Sequence, residues 1–366
     1  MLIGDKHYTS IWLDPEDNSR VMVIDQTRLP FELLEVALVS VEDVFGAIQN
    51  MVVRGAPLIG VTAAFGIYLA AREATNLSRA EHHLKNAAKY LCSSRPTAVN
   101  LEWATNRMLN RLSAIKSPTE IVSTALDEAL KIWSEEREST RMIGVNGLPL
   151  IKEISKKKGG ATVNILTHCN AGWLACVDYG TATSPIYMAH DAGVDLHVWV
   201  DETRPRNQGA RLTAYELAEH GVPHTLITDN AGGHLMQKGL VDMVITGSDR
   251  TSRNGDVANK IGTYLKALAA HDNNIPFYVA LPVSTIDTSI ENGLTDIIVE
   301  ERDGTEVSVV EGLYKGEIVG VNICSEKTRV SNFGFDITPA KYITALITER
   351  GICSALEEEI VNLLKE

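Results

Sequence analysis

The chain has 366 residues, 45% of them apolar and 22% charged, with 34 Lys plus Arg against 47 Asp plus Glu and a formal net charge of −13. That length is enough for two domains and a sizeable buried core, and the composition is that of a globular protein. The acidic balance argues against nonspecific binding to nucleic acid or anionic membrane, no apolar run is long enough for a membrane span, and the opening MLIGDKHYTSIW does not read as a secretory signal.

Residues 1–30 mix apolar and polar stretches, and SRVMVIDQTRLP predicts a small antiparallel element. From about Leu33 the pattern turns helical. Val39 to Met51 has apolar residues at helical spacing, with Ser40 and Asp43 as a capping pair. VVRGAPLIGVTAAFGIYLAAREA follows. Pro57 suits a first helical turn, and Gly60, Ala63, Ala64 and Gly66 permit close approach of a neighbour. Further helices are expected over roughly Arg79–Leu91, from near Asn100, and from Pro118 to Arg141. Met142 to Gly160 reads as a crossing region closed by the glycines of KKKGG.

The texture then changes. ATVNILTHCNAG, VDLHVWVDETRP, PHTLITDNAGG, VDMVITGSDRT and IPFYVALPVST each run from an apolar stretch into polar or glycine-rich residues. Helical stretches at Ala210–His220, His234–Lys238 and Val257–His271 separate most of them. Apolar strands joined by helices predict a parallel sheet covered on both faces. Ligands of such sheets sit beyond the carboxyl ends of the strands, where these polar clusters fall. A two-strand insertion is expected around EVSVV and GEIVGV, and the segments DITPAKYITALITERGI and ALEEEIVNLLKE read as helical. The fold class is therefore α/β: a mainly helical N-terminal domain with a small β element over 1–145, and a Rossmann-like domain over 146–366.

The five cysteines, Cys92, Cys169, Cys176, Cys324 and Cys353, include no CxxC pair. Neither a disulfide framework nor a thiolate zinc site is expected, and reduced thiols fit a cytoplasmic setting. GxGxxG, HExxH and a complete phosphate loop are missing; GAPLIG at 55–60 has only the glycine spacing.

Cys169 stands at a strand end inside THCNAG, and a helix after Asn170 would favour its thiolate. His168 beside it reads as a structural histidine, since adjacent strand residues face opposite ways. Asp249, Asp229 and Asp201 occupy comparable strand ends, and the residues alone do not choose among them. Asp201 reads as part of an ion-pair network with Arg204 and Arg206. For an anionic ligand the candidate cations are Arg54 and Arg95, ahead of helix starts, and Lys260, at a helix start beside Asn259; Gln208 is a neutral donor at another.

VVRGAPLIG, SRPTAVNLEWA, LTHCNAG, VDETRPRNQGARLTAYEL, VITGSDR, NGDVANKIGTY and FDITPAKYITALITE, from Val52 to Glu349, together resemble the S-methyl-5-thioribose-1-phosphate isomerases of methionine salvage. The resemblance implies a dimer with a helical N-terminal part and a Rossmann-like domain lacking a dinucleotide. It implies conversion of 5-methylthioribose 1-phosphate to 5-methylthioribulose 1-phosphate with no metal or organic cofactor. It places the catalytic pair on Cys169 and Asp249. It places phosphate binding on Arg54, Arg95, Gln208, Asn259 and Lys260, with backbone amides near Gly55 and Ala56. NAGGHLM at 230–236 and SNFGFD at 331–336 depart from the family pattern and bear on the pocket for the 5-substituent or a nearby loop. Relatives acting on 5-deoxyribose 1-phosphate or ribose 1,5-bisphosphate, and non-enzymatic subunits of a translation exchange factor, are the alternative readings.

Overall fold

The computed structural model describes residues 1–74, 77–95, 98–115 and 117–365, with no side chains described at 77–79. Pro96 and Thr97 of the SRPTAVN motif lie outside the described residues. A hairpin, β1 (Leu2–Ile3) with β2 (Lys6–His7), precedes an antiparallel sheet ordered β3 (Ile11–Leu13), β4 (Val21–Ile24), β5 (Glu35–Leu38). Helices α1 (Val41–Gln49), α2 (Ala56–Glu73), α3 (Leu77–Ser94), α4 (Val99–Leu112) and α5 (Pro118–Lys157) follow.

Ser40 and Asp43 form the full capping box of α1, each side chain bonding the other's backbone N–H. α2 is buried at every position from Ala56 to Ala71, as expected of a helix apolar all round. Its small residues explain how it is enclosed. A Cβ on Gly60 would come within 3.0 Å of the Asn100 carbonyl, and one on Gly66 within 2.8 Å of Leu91.

α5 corrects the expected end at Arg141: the helix continues to Lys157, with Pro149 inside it. Gly144, Gly147 and Pro149 made this stretch look non-helical, because each lowers intrinsic helix propensity. Packing decides otherwise. The two glycines let α5 lie against α6 (Ser184–Asp191), where a Cβ on Gly147 would meet Pro185 at 2.7 Å. The helix also changes cores along its length. Ile121, Ala125, Ala129 and Ile132 join the N-terminal core, whereas Ile143 and Ile151 join the core beneath the large sheet.

The second half alternates strand and helix: β6 (Val163–Thr167), α6, β7 (Leu196–Asp201), α7 (Ala214–Glu219), β8 (His224–Ile227), α8 (Gly232–Gln237) and β9 (Met243–Thr246). Then come β10 (Arg250–Ser252), β11 (Val257–Lys260), α9 (Thr263–Asp272), β12 (Phe277–Ala280) and β13 (Ile286–Asp287). After the short helices α10 (Gly293–Asp296) and α11 (Thr305–Ser308), the hairpin β14 (Val309–Tyr314) and β15 (Glu317–Asn322), β16 (Phe335–Thr338), β17 (Ala345–Thr348), β18 (Gly351–Cys353) and α12 (Glu357–Lys365) close the chain.

Seven strands form the main sheet in the order β18-β17-β12-β9-β6-β7-β8. All neighbours pair in parallel except β17 with β18. A four-stranded sheet, β13-β10-β11-β16, stands beside it. Two expectations are corrected here. Val257–Lys260 is a strand, not the start of a helix, so the helix begins only at Thr263. Residues 335–353 hold three strands rather than a helix. ALIT at 345–348 is buried on both faces, and such a short apolar run has no periodicity to separate strand from helix.

The α5–α6 contact generates a test. Gly147→Val should lower the unfolding free energy by about 1–3 kcal/mol through overpacking against Pro185, read by urea denaturation. A parental midpoint and slope would contradict this packing.

Candidate functional site

Chain order turns back between β6 and β9: β6, β7 and β8 run outward one way, and β9, β12 and β17 the other. This is the topological switch point, where an open α/β sheet leaves a crevice. Cys169 lies two residues past the end of β6, and Asp249 three residues past the end of β9. The two flank that crevice.

Cys169, Asp249, Arg54, Gly55, Ala56, Arg95, Gln208, Asn259 and Lys260 all line one cavity. It holds about 620 Å³ of space between atoms, part of it open to solvent. The structure thus brings together all nine residues singled out in the sequence.

Cys169 has φ +67°, a left-handed conformation uncommon for a residue other than glycine. Its N–H donates to Thr203 Oγ1 at 2.9 Å, and its carbonyl accepts from Thr213 Oγ1 at 2.7 Å. Its thiol donates to Gln208 Oε1 at 3.5 Å. No α-helix follows Asn170; a 3₁₀ turn, Trp173–Ala175, stands there instead. The expected helix-stabilised thiolate is therefore corrected. Burial pushes the Cys169 thiol up, with Arg54 and Lys260 opposing and Asp249 reinforcing.

Asp249 is anchored by its N–H to the Ala258 carbonyl of β11 at 3.0 Å. Desolvation in the cavity raises its carboxyl above the ordinary carboxylate range; Lys260, Arg95 and Arg54 pull it down, and Glu300 adds to the rise. Lys260 ends β11, reaches the Gly334 carbonyl at 3.0 Å and lies 5.1 Å from the centre of the Phe335 ring. Burial lowers its pKa, against the pull of Cys169 and Asp249. Asn259 donates to Thr263 Oγ1 at 3.0 Å. Arg95 follows the last turn of α3. Its nearest carboxylate, Glu300, is 3.9 Å away, and its Nε has no partner among the described residues.

Arg54 leads into α2 and is held from behind. It donates to the Asn170 side-chain oxygen, and to the Asn170 carbonyl at 2.5 Å. Asn170 Nδ2 donates in turn to Glu216 Oε1 at 3.2 Å. Burial raises the Glu216 carboxyl to about 7. Gly55 takes φ +93°, and a Cβ there would meet Ala175 at 2.6 Å; only glycine lets the chain enter α2 against this wall. The first-turn amides of α2 have no intrahelical acceptors, and Ala56 opens onto the cavity. Cations beside a helix N-terminus suit a phosphate.

A neighbouring chamber shares Gly55, Ala56, Arg95, Asp249 and Phe335 with this cavity. It adds a mainly apolar wall of Ile59, Ala98, Ala258, Ile297 and Ile298, with Arg250 also present. Asn170, Thr203, Glu216 and Phe335 were not picked out by sequence reasoning. They lie inside recognised motifs, but no periodicity marks a side chain that supports another from behind. Asp201 also differs from expectation. It faces His168 Nδ1 at 2.8 Å and Lys266 Nζ at 3.0 Å, while Arg206 pairs with Glu306. Among the described residues, His168, Asp201 and Asp229 have donor atoms within 4.8 Å of one another. The Lys266 ammonium already supplies a positive charge there.

The arrangement defines an α/β protein of the doubly wound kind, with a switch-point cavity lined by a thiol, a carboxyl and three cations beside a helix N-terminus. The model of the Initiation factor 2 subunit family matches residues 52–355, and the chain belongs to that family, in its methylthioribose-1-phosphate isomerase branch. It is 54% identical to "Methylthioribose-1-phosphate isomerase" of Desulfatibacillum aliphaticivorans, over 100% of this chain and 99% of that one. Among solved structures it is similar to 5-methylthioribose 1-phosphate isomerase from Pyrococcus horikoshii OT3, with TM-score 0.85 and 38% identity over 98% of this chain and 96% of that one. It is also similar to a structure titled translation initiation factor eIF-2B, subunit delta, from A. fulgidus, with TM-score 0.80 and 40% identity over 98% and 100%.

Burial around the site makes stability depend on pH. Glu136 of α5 accepts the Val177 N–H at 2.8 Å, and desolvation raises it to about 8. The folded state therefore holds a proton that the unfolded chain releases near pH 4.5. This contribution is complete at low pH and is lost as pH rises through about 8. Glu136→Gln should flatten the fall in Tm between about pH 5 and 9, measured by calorimetry. Parallel parent and variant curves would contradict the assignment.

Proposed function

We propose that this chain is an aldose–ketose isomerase that converts 5-methylthioribose 1-phosphate to 5-methylthioribulose 1-phosphate without a metal or organic cofactor. The observation that carries the reading is the pairing of a buried thiol and a raised carboxyl across the switch-point crevice, beside three cations and a helix N-terminus. The names of the similar proteins agree with it.

The chemistry follows from the substrate. Phosphate on the anomeric oxygen prevents simple ring opening to an aldehyde. Asp249, held toward its neutral form, protonates the ring oxygen, and the bond from that oxygen to C1 breaks. Hydrogen then moves from C2 to C1, and the C2 hydroxyl loses its proton to become the ketone. That proton restores Asp249, with Cys169 placed to relay it. A thiol kept protonated is a weak base, which favours direct transfer of hydrogen from C2 to C1 over abstraction by a thiolate. Arg54, Arg95, Lys260, Asn259 and Gln208, with the amides at Gly55 and Ala56, hold the phosphate. The ring oxygen lies between C1, which bears the phosphate, and C4, which bears the C5 arm. Asp249 correspondingly lines both the phosphate cavity and the mainly apolar chamber.

That chamber fits the methylthio group, and also the methyl end of 5-deoxyribose 1-phosphate, better than a second phosphate. A methylthio group in place of hydrogen is worth a few kcal/mol at most, so one protein could turn over both. The regulatory alternative is disfavoured by the presence of the whole thiol, carboxyl and cation set. We further propose a cytoplasmic homodimer that binds neither nucleic acid nor membrane. The net charge of −13 supports the last point, and no helix is long and apolar enough to cross a membrane.

Cys169→Ser and Asp249→Asn should each fold normally by circular dichroism and lose about 10³-fold in kcat. Near-parental turnover would remove that residue from the reaction. The parent's kcat/KM should fall as pH rises through the raised Asp249 pKa, the sign required of an acid that must enter protonated. Arg54→Ala should raise KM about tenfold or more through loss of a charge-assisted phosphate contact; unchanged kinetics would exclude Arg54 from the phosphate site.

A further inference from the structure

His168 immediately precedes Cys169, is fully enclosed, and does not line the cavity. Its Nδ1 is 2.8 Å from Asp201 Oδ2 and 3.8 Å from Asp229 Oδ1, and its Nε2 is 2.8 Å from the Ile261 carbonyl. A carbonyl oxygen only accepts. The Asp201 carboxylate also accepts, because the Lys266 ammonium lies 3.0 Å from the same oxygen. A neutral imidazole has one N–H and would leave one of these acceptors facing a lone pair. Only a ring offering an N–H at both positions would meet both acceptors. His168 and Lys266 then balance Asp201 and Asp229, which suits a cluster in which His168, Asp201 and Lys266 are buried and only Asp229 reaches solvent.

The same contacts tie together the segments that build the site. His168 belongs to the turn that carries Cys169. Asp201 ends β7, just before Thr203, whose hydroxyl accepts the Cys169 N–H. Asp229 accepts the N–H groups of Thr203 and Arg204, both at 2.7 Å, and its own carbonyl accepts from Lys266. Ile261 follows Asn259 and Lys260. Gly262, at φ +105°, leaves no room for a side chain, since a Cβ would meet the imidazole at 3.0 Å. Thr203 shares the left-handed conformation of Cys169, at φ +64°. Two strained residues joined by one hydrogen bond need an external brace to stay in register.

We propose that His168 is a positioning residue: a doubly protonated imidazole that clamps the Cys169 turn, the Thr203 turn and the Lys260 segment together and so sets the thiol against the sugar. Lys260 keeps its bond to the Gly334 carbonyl without His168, and Arg54 is held through Asn170, whose side chain Glu216 and Thr213 fix from another segment. Loss of the clamp therefore falls on thiol placement more than on phosphate grip. This sets it apart from a histidine that only fills space. A space-filling residue would cost stability and leave the kinetics of the folded protein alone.

The kinetic arm rests on the isomerase reading; a spectroscopic arm does not. In His168→Gln and His168→Asn, assayed below their unfolding transitions on 5-methylthioribose 1-phosphate, kcat should fall about 10- to 100-fold, the cost of a displacement near 1 Å. KM should stay within roughly threefold. In the unmodified protein labelled with ¹⁵N-histidine, both His168 ring nitrogens, assigned by comparison with either variant, should resonate in the protonated range at neutral pH. Folded variants with kcat within about twofold of the parent would overturn the positioning role, and a single protonated nitrogen would overturn the two-donor clamp. If neither variant folds, the His168 ring nitrogens are assigned through their couplings to the sequentially assigned His168 backbone, and the spectrum of the parent still decides the clamp. A parent that does not turn over the aldose phosphate would sink the functional reading instead, while the spectrum would still judge His168.

Discussion

Removal of water from one crevice is the constraint on which the rest of this structure depends. A carboxyl, a thiol and a lysine share a cavity with two arginines, and desolvation is the largest influence on Asp249, Cys169 and Lys260 alike. It raises the two acids and lowers the amine, so each is driven toward its uncharged form. The cations nearby oppose the rise of the acids but do not reverse it. The result is an acid able to give up a proton beside a thiol that keeps its own. An aldose 1-phosphate requires such a pairing, because its ring must be opened by protonation at oxygen rather than by base.

The fold supplies this environment by bringing distant segments to one point. The reversal of strand order between β6 and β9 opens the crevice. The start of α2 closes it, with Gly55 pressed onto Ala175. Support comes from behind: the buried Glu216 carboxyl holds Asn170, and Asn170 holds the Arg54 guanidinium. Asp229 and Thr203 hold the backbone of Cys169 in a conformation it would not adopt alone. Few of these supporting residues touch the cavity, yet the aim of the groups that do depends on them.

Much of this was legible in the sequence where the signal is local or repeated. The Ser40–Asp43 capping box, Pro57 at a helix start, and five apolar runs ending in polar clusters each have a mechanism that acts over a few residues. Site selection was less legible. Asp201, Asp229 and Asp249 look equivalent from their own neighbourhoods, and only the combined family segments singled out Asp249. The misreadings have physical causes. Val257–Lys260 and Ala345–Thr348 are buried on both faces, so no alternation betrays a strand. Gly144, Gly147 and Pro149 signal the end of a helix, yet α5 tolerates them where it packs on α6. The arginines beside Asp201 in sequence suggest its ion partners, whereas those partners come from the turn after β6 and from α9 across the fold.

The central claim is that burial raises the Asp249 carboxyl above the ordinary carboxylate range in the empty site. Infrared difference spectra between the parent and Asp249→Asn, recorded on substrate-free protein over a pH series in water and in heavy water, test it directly. The account predicts a protonated-carboxyl carbonyl band in the parent that shifts in heavy water, is missing from the variant, and persists to a higher pH than that of a solvent-exposed aspartate. Loss of the band in the range of a solvent-exposed aspartate would contradict it.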